Sequence, residues 1–212
     1  MDIGEVVKKL ELMLQNPLPG RLGQITMAPQ PVDETRFASM IREDHRKGAV
    51  LMLFYPDSGN SFVPFIKRPS YPGVHGGQIA FPGGKWEPED GDLSITATRE
   101  AEEEIGVDGQ KVQILGKLSD VYIPPSNFMV SPYIGFIEEK PKFNPDPKEV
   151  ERIINCPFPL LLDKNIRKRT KIKASSGLNI EAPYFDIEQE VVWGATAMML
   201  GEFTYLWDSL EF

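Results

Sequence analysis

The sequence predicts a single α/β domain in which helices pack on both faces of a mixed sheet. Three observations lead there. At 212 residues the chain fits one domain of the usual size, about 100 to 200 residues. Short apolar runs bounded by turn residues alternate with amphipathic helical segments, a pattern of helix against sheet against helix. No internal repeat or low-complexity block interrupts it, and a 41% hydrophobic, 25% charged composition suits a chain with one real core.

The elements follow in order. Ile3, Val6, Val7, Leu10 and Leu14 recur at helical spacing between charged residues, predicting a helix over 3–15 closed by Asn16-Pro17. A Pro-rich connection runs from Pro17 to Pro31, and a second helix is predicted over Glu34 to Arg46 with Phe37, Met40 and Ile41 on one face. The apolar run Ala49 to Tyr55 reads as a buried strand, Pro56 to Asn60 as a turn, and Phe62 to Arg68 as its partner. Pro69 to Gly84 is too rich in Gly and Pro to be regular throughout. A helix is predicted over Leu93 to Ile105, strands over Val112 to Leu118 and Met129 to Ile137, and a short helix over Lys148 to Ile154. Tyr184 to Trp193 reads as extended, and Ala195 to Trp207 as a closing helix.

Charge and cysteine content narrow the function classes. A net charge of −8 argues against general nucleic-acid binding, which needs a broad basic surface, but leaves room for a small phosphorylated ligand in a local basic pocket. The basic run Arg167 to Lys173 reads as the solvated edge of a hairpin, where Lys discourages edge pairing. The single cysteine, Cys156, excludes an internal disulfide and reads as packing. Met1-Asp2-Ile3-Gly4-Glu5 lacks the basic-then-apolar order of a secretion signal, and no apolar run approaches the roughly 18 residues a bilayer requires. The expectation is a cytoplasmic protein with no membrane and no nucleic-acid partner.

The chemistry concentrates in Arg99-Glu100-Ala101-Glu102-Glu103-Glu104-Ile105-Gly106-Val107. At about 100° per residue, Glu100, Glu103 and Glu104 share one face of a helix, while Thr98, Ala101 and Ile105 face the other way and can pack on a sheet. Carboxylates this close repel one another, and hard Mg²⁺ or Mn²⁺ offsets that repulsion through the oxygen ligands it prefers. An isolated E-x-x-E-E would be a solvated acidic face. Here Phe81-Pro82-Gly83-Gly84 precedes the helix, and Arg99 and Gly106-Val107 bracket the acids.

This segment resembles the Nudix signature, G-x5-E-x7-R-E-U-x-E-E-x-G-U with U a bulky aliphatic residue. The second half matches from Arg99 to Val107, with Ala101 the weak fit. In the first half, Gly84 to Arg99 is one residue longer than the signature spacing, and Asp90 stands near the place of the first Glu. That variation, with Arg68-Pro69-Ser70 and His75-Gly76-Gly77-Gln78-Ile79-Ala80-Phe81-Pro82-Gly83-Gly84 upstream, looks like the coenzyme A pyrophosphatase branch. So do Ile123-Pro124-Pro125-Ser126-Asn127-Phe128, Pro145-Asp146-Pro147-Lys148-Glu149-Val150 and Trp193-Gly194-Ala195-Thr196. The pieces span about residues 49 to 200.

The resemblance implies an α/β/α sandwich with a mixed sheet and a catalytic loop-helix-loop. One domain would cover 1–212, with residues 1–46 as an N-terminal helical extension and the core over about 47–207. It implies metal-dependent hydrolysis of the phosphoanhydride of coenzyme A or its derivatives, giving adenosine 3′,5′-bisphosphate and 4′-phosphopantetheine or its acyl form. Glu100 and Glu104 are the expected metal ligands, Glu103 a further ligand or base, and Arg99 the residue whose guanidinium fork holds a carboxylate. Asp90 would support the loop-helix-loop. Arg68, Ser70, His75, Gln78, Gly83 and Gly84 are the candidate substrate contacts, with no metal role for His75. Glu188 and Glu190 are candidates for a carboxylate from beyond the helix, or else exposed strand residues. Two readings compete: a Nudix hydrolase for another diphosphate such as ADP-ribose or a dinucleotide, and a non-catalytic Nudix-fold binding module. The oligomeric state, a homodimer included, stays open.

Overall fold

The computed structural model describes residues 1–30, 41–71, 75–173 and 179–210. Its strands are β1 (Arg46–Asp57), β2 (Asn60–Lys67), β3 (Ile79–Ala80), β4 (Gly83–Lys85), β5 (Gln113–Lys117), β6 (Val121–Ile123), β7 (Phe128–Phe136), β8 (Arg152–Pro157), β9 (Arg167–Lys173), β10 (Asn179–Ile187) and β11 (Glu190–Trp193). The α-helices are α1 (Ile3–Leu14), α2 (Arg21–Gln24), α3 (Leu93–Ile105), α4 (Phe158–Leu162) and α5 (Gly194–Ser209). No helix among the described residues is long and apolar enough to cross a membrane.

The long strand β1 organises the main sheet. Along one edge it runs parallel to β7, from Arg46 beside Phe128 to Phe54 beside Phe136. Along the other edge its two halves take different antiparallel partners: Gly48 to Val50 pair with β4, and Tyr55 to Asp57 with β2. Alternation of side chains across the strand then splits its apolar run between two cores. Ala49, Leu51, Leu53 and Tyr55 pack with Ala97, Ala101 and Ile105 of α3. Met52 and Phe54 pack on the opposite face with Val6, Leu10 and Met13 of α1 and with Phe203 and Leu206 of α5. A strand covered on both faces reads as continuous hydrophobicity, which is why Ala49 to Tyr55 shows no polar alternation. Truncating one of its fully buried leucines, such as Leu53, would cost about 2–5 kcal/mol in transfer and cavity terms.

A second sheet, ordered β11-β10-β9, lies at the C-terminal end, with β11 packed against β3. The expected mixed sheet between helical layers is thus present. Three expectations change. The connection from Pro17 to Pro31 is folded into α2 and a 3₁₀ turn at Ile25–Met27; Gly23 lies so close to α5 that a Cβ would come within 2.6 Å of the Glu202 Cα. Fully buried Glu202 accepts from the backbone N–H groups of Gly20 and Ser119 and from the Gln24 side chain, so no polar atom is stranded. Of the helix expected over Glu34 to Arg46, residues 34–40 lie outside the described residues, and 41–45 form a turn into β1. The helix expected over Lys148 to Ile154 is a turn followed by β8, whose Ile153 and Ile154 pair with Ile66 and Phe65 of β2. The tertiary pairing overrides the local pattern.

Candidate active site

Helix α3 is anchored at both ends. The Asp92 carboxylate caps its start by accepting from the Ser94 N–H at 2.8 Å. Gly106 ends it in the left-handed region at φ 72°, where a Cβ would collide with Asn144. Ala97, Ala101 and Ile105 are fully buried against β1. Thr98, expected among the packing residues, instead turns its hydroxyl back to the carbonyls of Ser94 and Ile95. Glu102 points off the other side, toward Gly109.

The two glycines of Phe81-Pro82-Gly83-Gly84 meet the acids of this helix. Gly83 donates its N–H to Glu104 Oε2 at 2.8 Å. Its backbone lies so close to β1 that a Cβ would stand 2.3 Å from the Ala49 carbonyl. A Cβ on Gly84 would stand within 2.5 Å of all three carboxyl atoms of Glu100. Only glycine admits this approach of backbone to carboxylate. The loop and the helix are therefore one unit, with Glu100 and Glu104 seated on the glycine pair.

Their environments differ. Glu104 is 1% exposed, and burial pushes its pKa up to about 7 against the opposing pull of the Arg68 guanidinium and the Gly83 N–H. Its Oε1 is buried without a hydrogen-bond partner; Arg68 Nη2 lies 3.4 Å away as an ion pair and gives its hydrogen bond to the Gly83 carbonyl. Burial also raises Glu100, partly offset by Arg99. Glu103 differs in exposure: it is 60% exposed and takes an i,i+4 ion pair from Arg99, whose Nη1 also reaches Glu100.

Arg99 is the hub of the motif. Its Nε and Nη2 grip both oxygens of Asp90 at 2.7 and 3.0 Å, its Nη1 reaches Glu100 and Glu103, and Nη2 also reaches the Lys85 carbonyl. Asp90 is 3% exposed and also accepts from the Thr96 hydroxyl and the Glu87 N–H. These donors, Arg99 foremost, hold its carboxyl well below the usual range. The carboxylate in the place of the signature's first Glu therefore fastens the loop to the helix.

Beside this unit opens a cleft of about 1100 Å³. Arg68, His75, Gln78, Gly83 and Gly84 line it; exposed Ser70 does not, and lies against Gly77. His75 Nδ1 and Gln78 Oε1 are 3.1 Å apart, so the ring orients the amide. Glu190 lines the cleft but is bound to Arg152 and Lys67 at 2.8 and 2.9 Å, and its carboxyl is held low. Glu188 lies near Arg152 as well. With Gln189 it forms the β10–β11 turn at positive φ, a strained conformation for side-chain-bearing residues. Both acids are thus engaged in holding a hairpin.

From another element, exposed Glu149 adds to the negative field at both Glu100 and Glu104, as Glu103 does at Glu100. Its loop is tied to the end of α3 through the N–H groups of Asn144 and Asp146, which donate to the Ile105 and Glu104 carbonyls. The sequence offered one signal for it, the Pro145-to-Val150 block, but the helix expected over Lys148 to Ile154 obscured its turn. Cys156 is fully buried, and burial pushes its thiol up to about 12, consistent with packing.

Comparison with known proteins places this geometry in context. The NUDIX domain family model matches residues 45–173. The chain is 35% identical over 183 residues to Nudix hydrolase 15, mitochondrial, of Arabidopsis thaliana, covering 84% of this chain and 62% of that protein. It is 36% identical over 167 residues to Nudix hydrolase 22, chloroplastic, of the same plant, covering 76% and 55%. The chain thus spans somewhat over half the length of these curated relatives. Among solved structures, the Nudix hydrolase RenU of M. smegmatis superposes with a TM-score of 0.53 at 14% identity, covering 79% of this chain and 89% of that one, a likeness of fold.

Proposed function

The chain belongs to the Nudix family, and from that premise we propose that it hydrolyses the phosphoanhydride of coenzyme A or its derivatives with a divalent cation. The observation that carries the reading is the seating of Glu100 and Glu104 on Gly83 and Gly84 at a cleft wide enough for a nucleotide with a long arm. Glycines of that loop form cleft wall and carboxylate seat at once. The His75-to-Gly84 block that resembles the coenzyme A branch lines the same cleft, which favours coenzyme A over ADP-ribose or a dinucleotide.

The residues fit a hard cation. Glu104 Oε1 is a buried oxygen lacking a hydrogen-bond donor, and Glu100 lies beside it in the same field. Among the described residues no three acids, histidines or cysteines form a ready-made cage. Mg²⁺ does not demand one, since it is commonly held by one or two carboxylates with substrate oxygens and water completing its shell. Glu100 and Glu104 would hold it, while Glu188 and Glu190, held by Arg152 and Lys67, would not. A cation bound there supplies neutralisation of the anhydride oxygens and a water of lowered pKa. The protein's own part is positional: Arg99 and Asp90 fix the loop against the helix, the Gly83 N–H orients Glu104, and Glu149, whose charge acts on both ligands, would accept a proton from the attacking water.

The test is a panel of coenzyme A, acetyl-coenzyme A, ADP-ribose and a dinucleoside polyphosphate, assayed with Mg²⁺ or Mn²⁺ and with excess chelator. The highest kcat/KM should fall on a coenzyme A, yielding adenosine 3′,5′-bisphosphate, and chelator should abolish turnover. Preference for ADP-ribose would overturn the substrate; undiminished hydrolysis in chelator would overturn the metal chemistry.

A further inference from the structure

We infer that Lys171, at the end of the cleft away from Glu100 and Glu104, binds a second anionic group of the substrate, a phosphate remote from the scissile anhydride. The inference rests on the nucleotide-hydrolase reading above and gives a task to the basic run that the sequence left as a solvated edge. The structure sorts that run residue by residue. Lys168 is paired with Asp186, Arg169 is paired with Glu181 at 3.1 Å, and the Arg167 guanidinium lies over the Phe185 ring. Lys171 is opposite Glu181 in the strand register, but that carboxylate is taken by Arg169. Lys171 is exposed, has no ion pair among the described residues, and lines the cleft.

Its position sets what it can reach. The cleft wall runs outward from β3 to β11, then β10, then β9. Strands in a sheet lie about 4.8 Å apart, so β9 stands roughly 10 Å beyond β11. Of the cleft's other charged groups, Arg68 is committed to Glu104 and Glu190 to Lys67 and Arg152, while Lys85 sits on β4 beside the glycine pair. Cationic charge is therefore available at two separated places, one beside the scissile site and one at the far wall. Tyr122, Phe128 and Trp193 also line the cleft, surfaces suited to a flat base. A nucleotide carrying a diphosphate and a second phosphate monoester on its ribose presents two anionic groups, one for each place.

The experiment compares binding of adenosine 3′,5′-bisphosphate with that of adenosine 5′-monophosphate in Mg²⁺, by calorimetry, for the full chain and its variants. Wild type should bind the bisphosphate about five- to tenfold more tightly, the scale of one charge-assisted contact at a wet site. The preference should shrink as salt is raised. Lys171→Met should abolish it without changing monophosphate affinity, Lys171→Arg should keep it, and Lys168→Met, on the same strand but already paired, should leave it intact. Equal affinity for the two nucleotides in wild type, binding of neither, or an equal loss of both in Lys171→Met would overturn the assignment. The substrate panel decides the coenzyme A reading separately, because it scores turnover whatever Lys171 does.

Discussion

Removing the Asp90 carboxylate should unfasten the catalytic loop from its helix, at a cost that can be worked from its contacts. In Asp90→Ala, Arg99 loses two bonds of 2.7 and 3.0 Å, and the Thr96 hydroxyl and Glu87 N–H lose their acceptor. Breaking a buried ion pair from one side costs about 3–5 kcal/mol. Arg99 is 25% exposed and keeps Glu100, Glu103 and the Lys85 carbonyl, which moves the figure to the low end, about 3 kcal/mol. For a chain of this length each kcal/mol shifts Tm by about 2–4 °C, so a fall of about 6–12 °C is expected. The pH dependence has a definite sign. A carboxyl held below its ordinary value contributes stability above the unfolded pKa of about 3.9 and loses it as pH falls toward the folded value. Calorimetric melts of wild type and Asp90→Asn should therefore differ most near neutrality and converge below about pH 4. A Tm for Asp90→Ala within about 2 °C of wild type at pH 7, or a gap that widens in acid, would refute the assignment of Asp90 as the fastener.

Two further outcomes test the acids themselves. Glu100→Gln and Glu104→Gln should each lower kcat by about two orders of magnitude or more with the fold retained, whereas Glu102→Gln, facing Gly109, should change it less than twofold, read from steady-state kinetics and melting curves together. Glu149→Gln should lower kcat by at least tenfold, the scale of a lost general base, while Glu190→Gln should instead lower Tm by freeing Lys67 and Arg152; the reverse pattern would return the base to the hairpin.

Local signals read well where one force dominated. The periodicity of α1 and α3 was legible because burial on a fixed face writes a period into the sequence, and β1 and α5 were legible as apolar runs because they are buried all round. The stretch Arg152 to Pro157 was not, because its identity as a strand is decided by pairing with β2, far away in sequence. The region Pro17 to Pro31 looked like a connection because its prolines dominate the pattern. What folds it is the buried Glu202, whose need for N–H donors draws in Gly20 and Gln24 and cannot be read locally.

The acidic triplet shows the same limit at the site. Helical geometry placed Glu100, Glu103 and Glu104 on one face, and nothing on the helix alone separates them. The separation comes from what is laid over that face. Gly83 and Gly84 cover the side bearing Glu100 and Glu104, raising both by burial, while Arg99, held at Asp90, draws Glu103 outward into solvent. The departure from the signature spacing thus has a consequence for the whole motif. Asp90 has a shorter reach than Glu, and it meets Arg99 across a loop one residue longer. With that arginine fixed, its Nη1 holds Glu103 together with one oxygen of Glu100, while Glu104 stays buried behind Gly83. From another element, the loop tied to the end of α3, Glu149 adds its charge to the field at both deep acids.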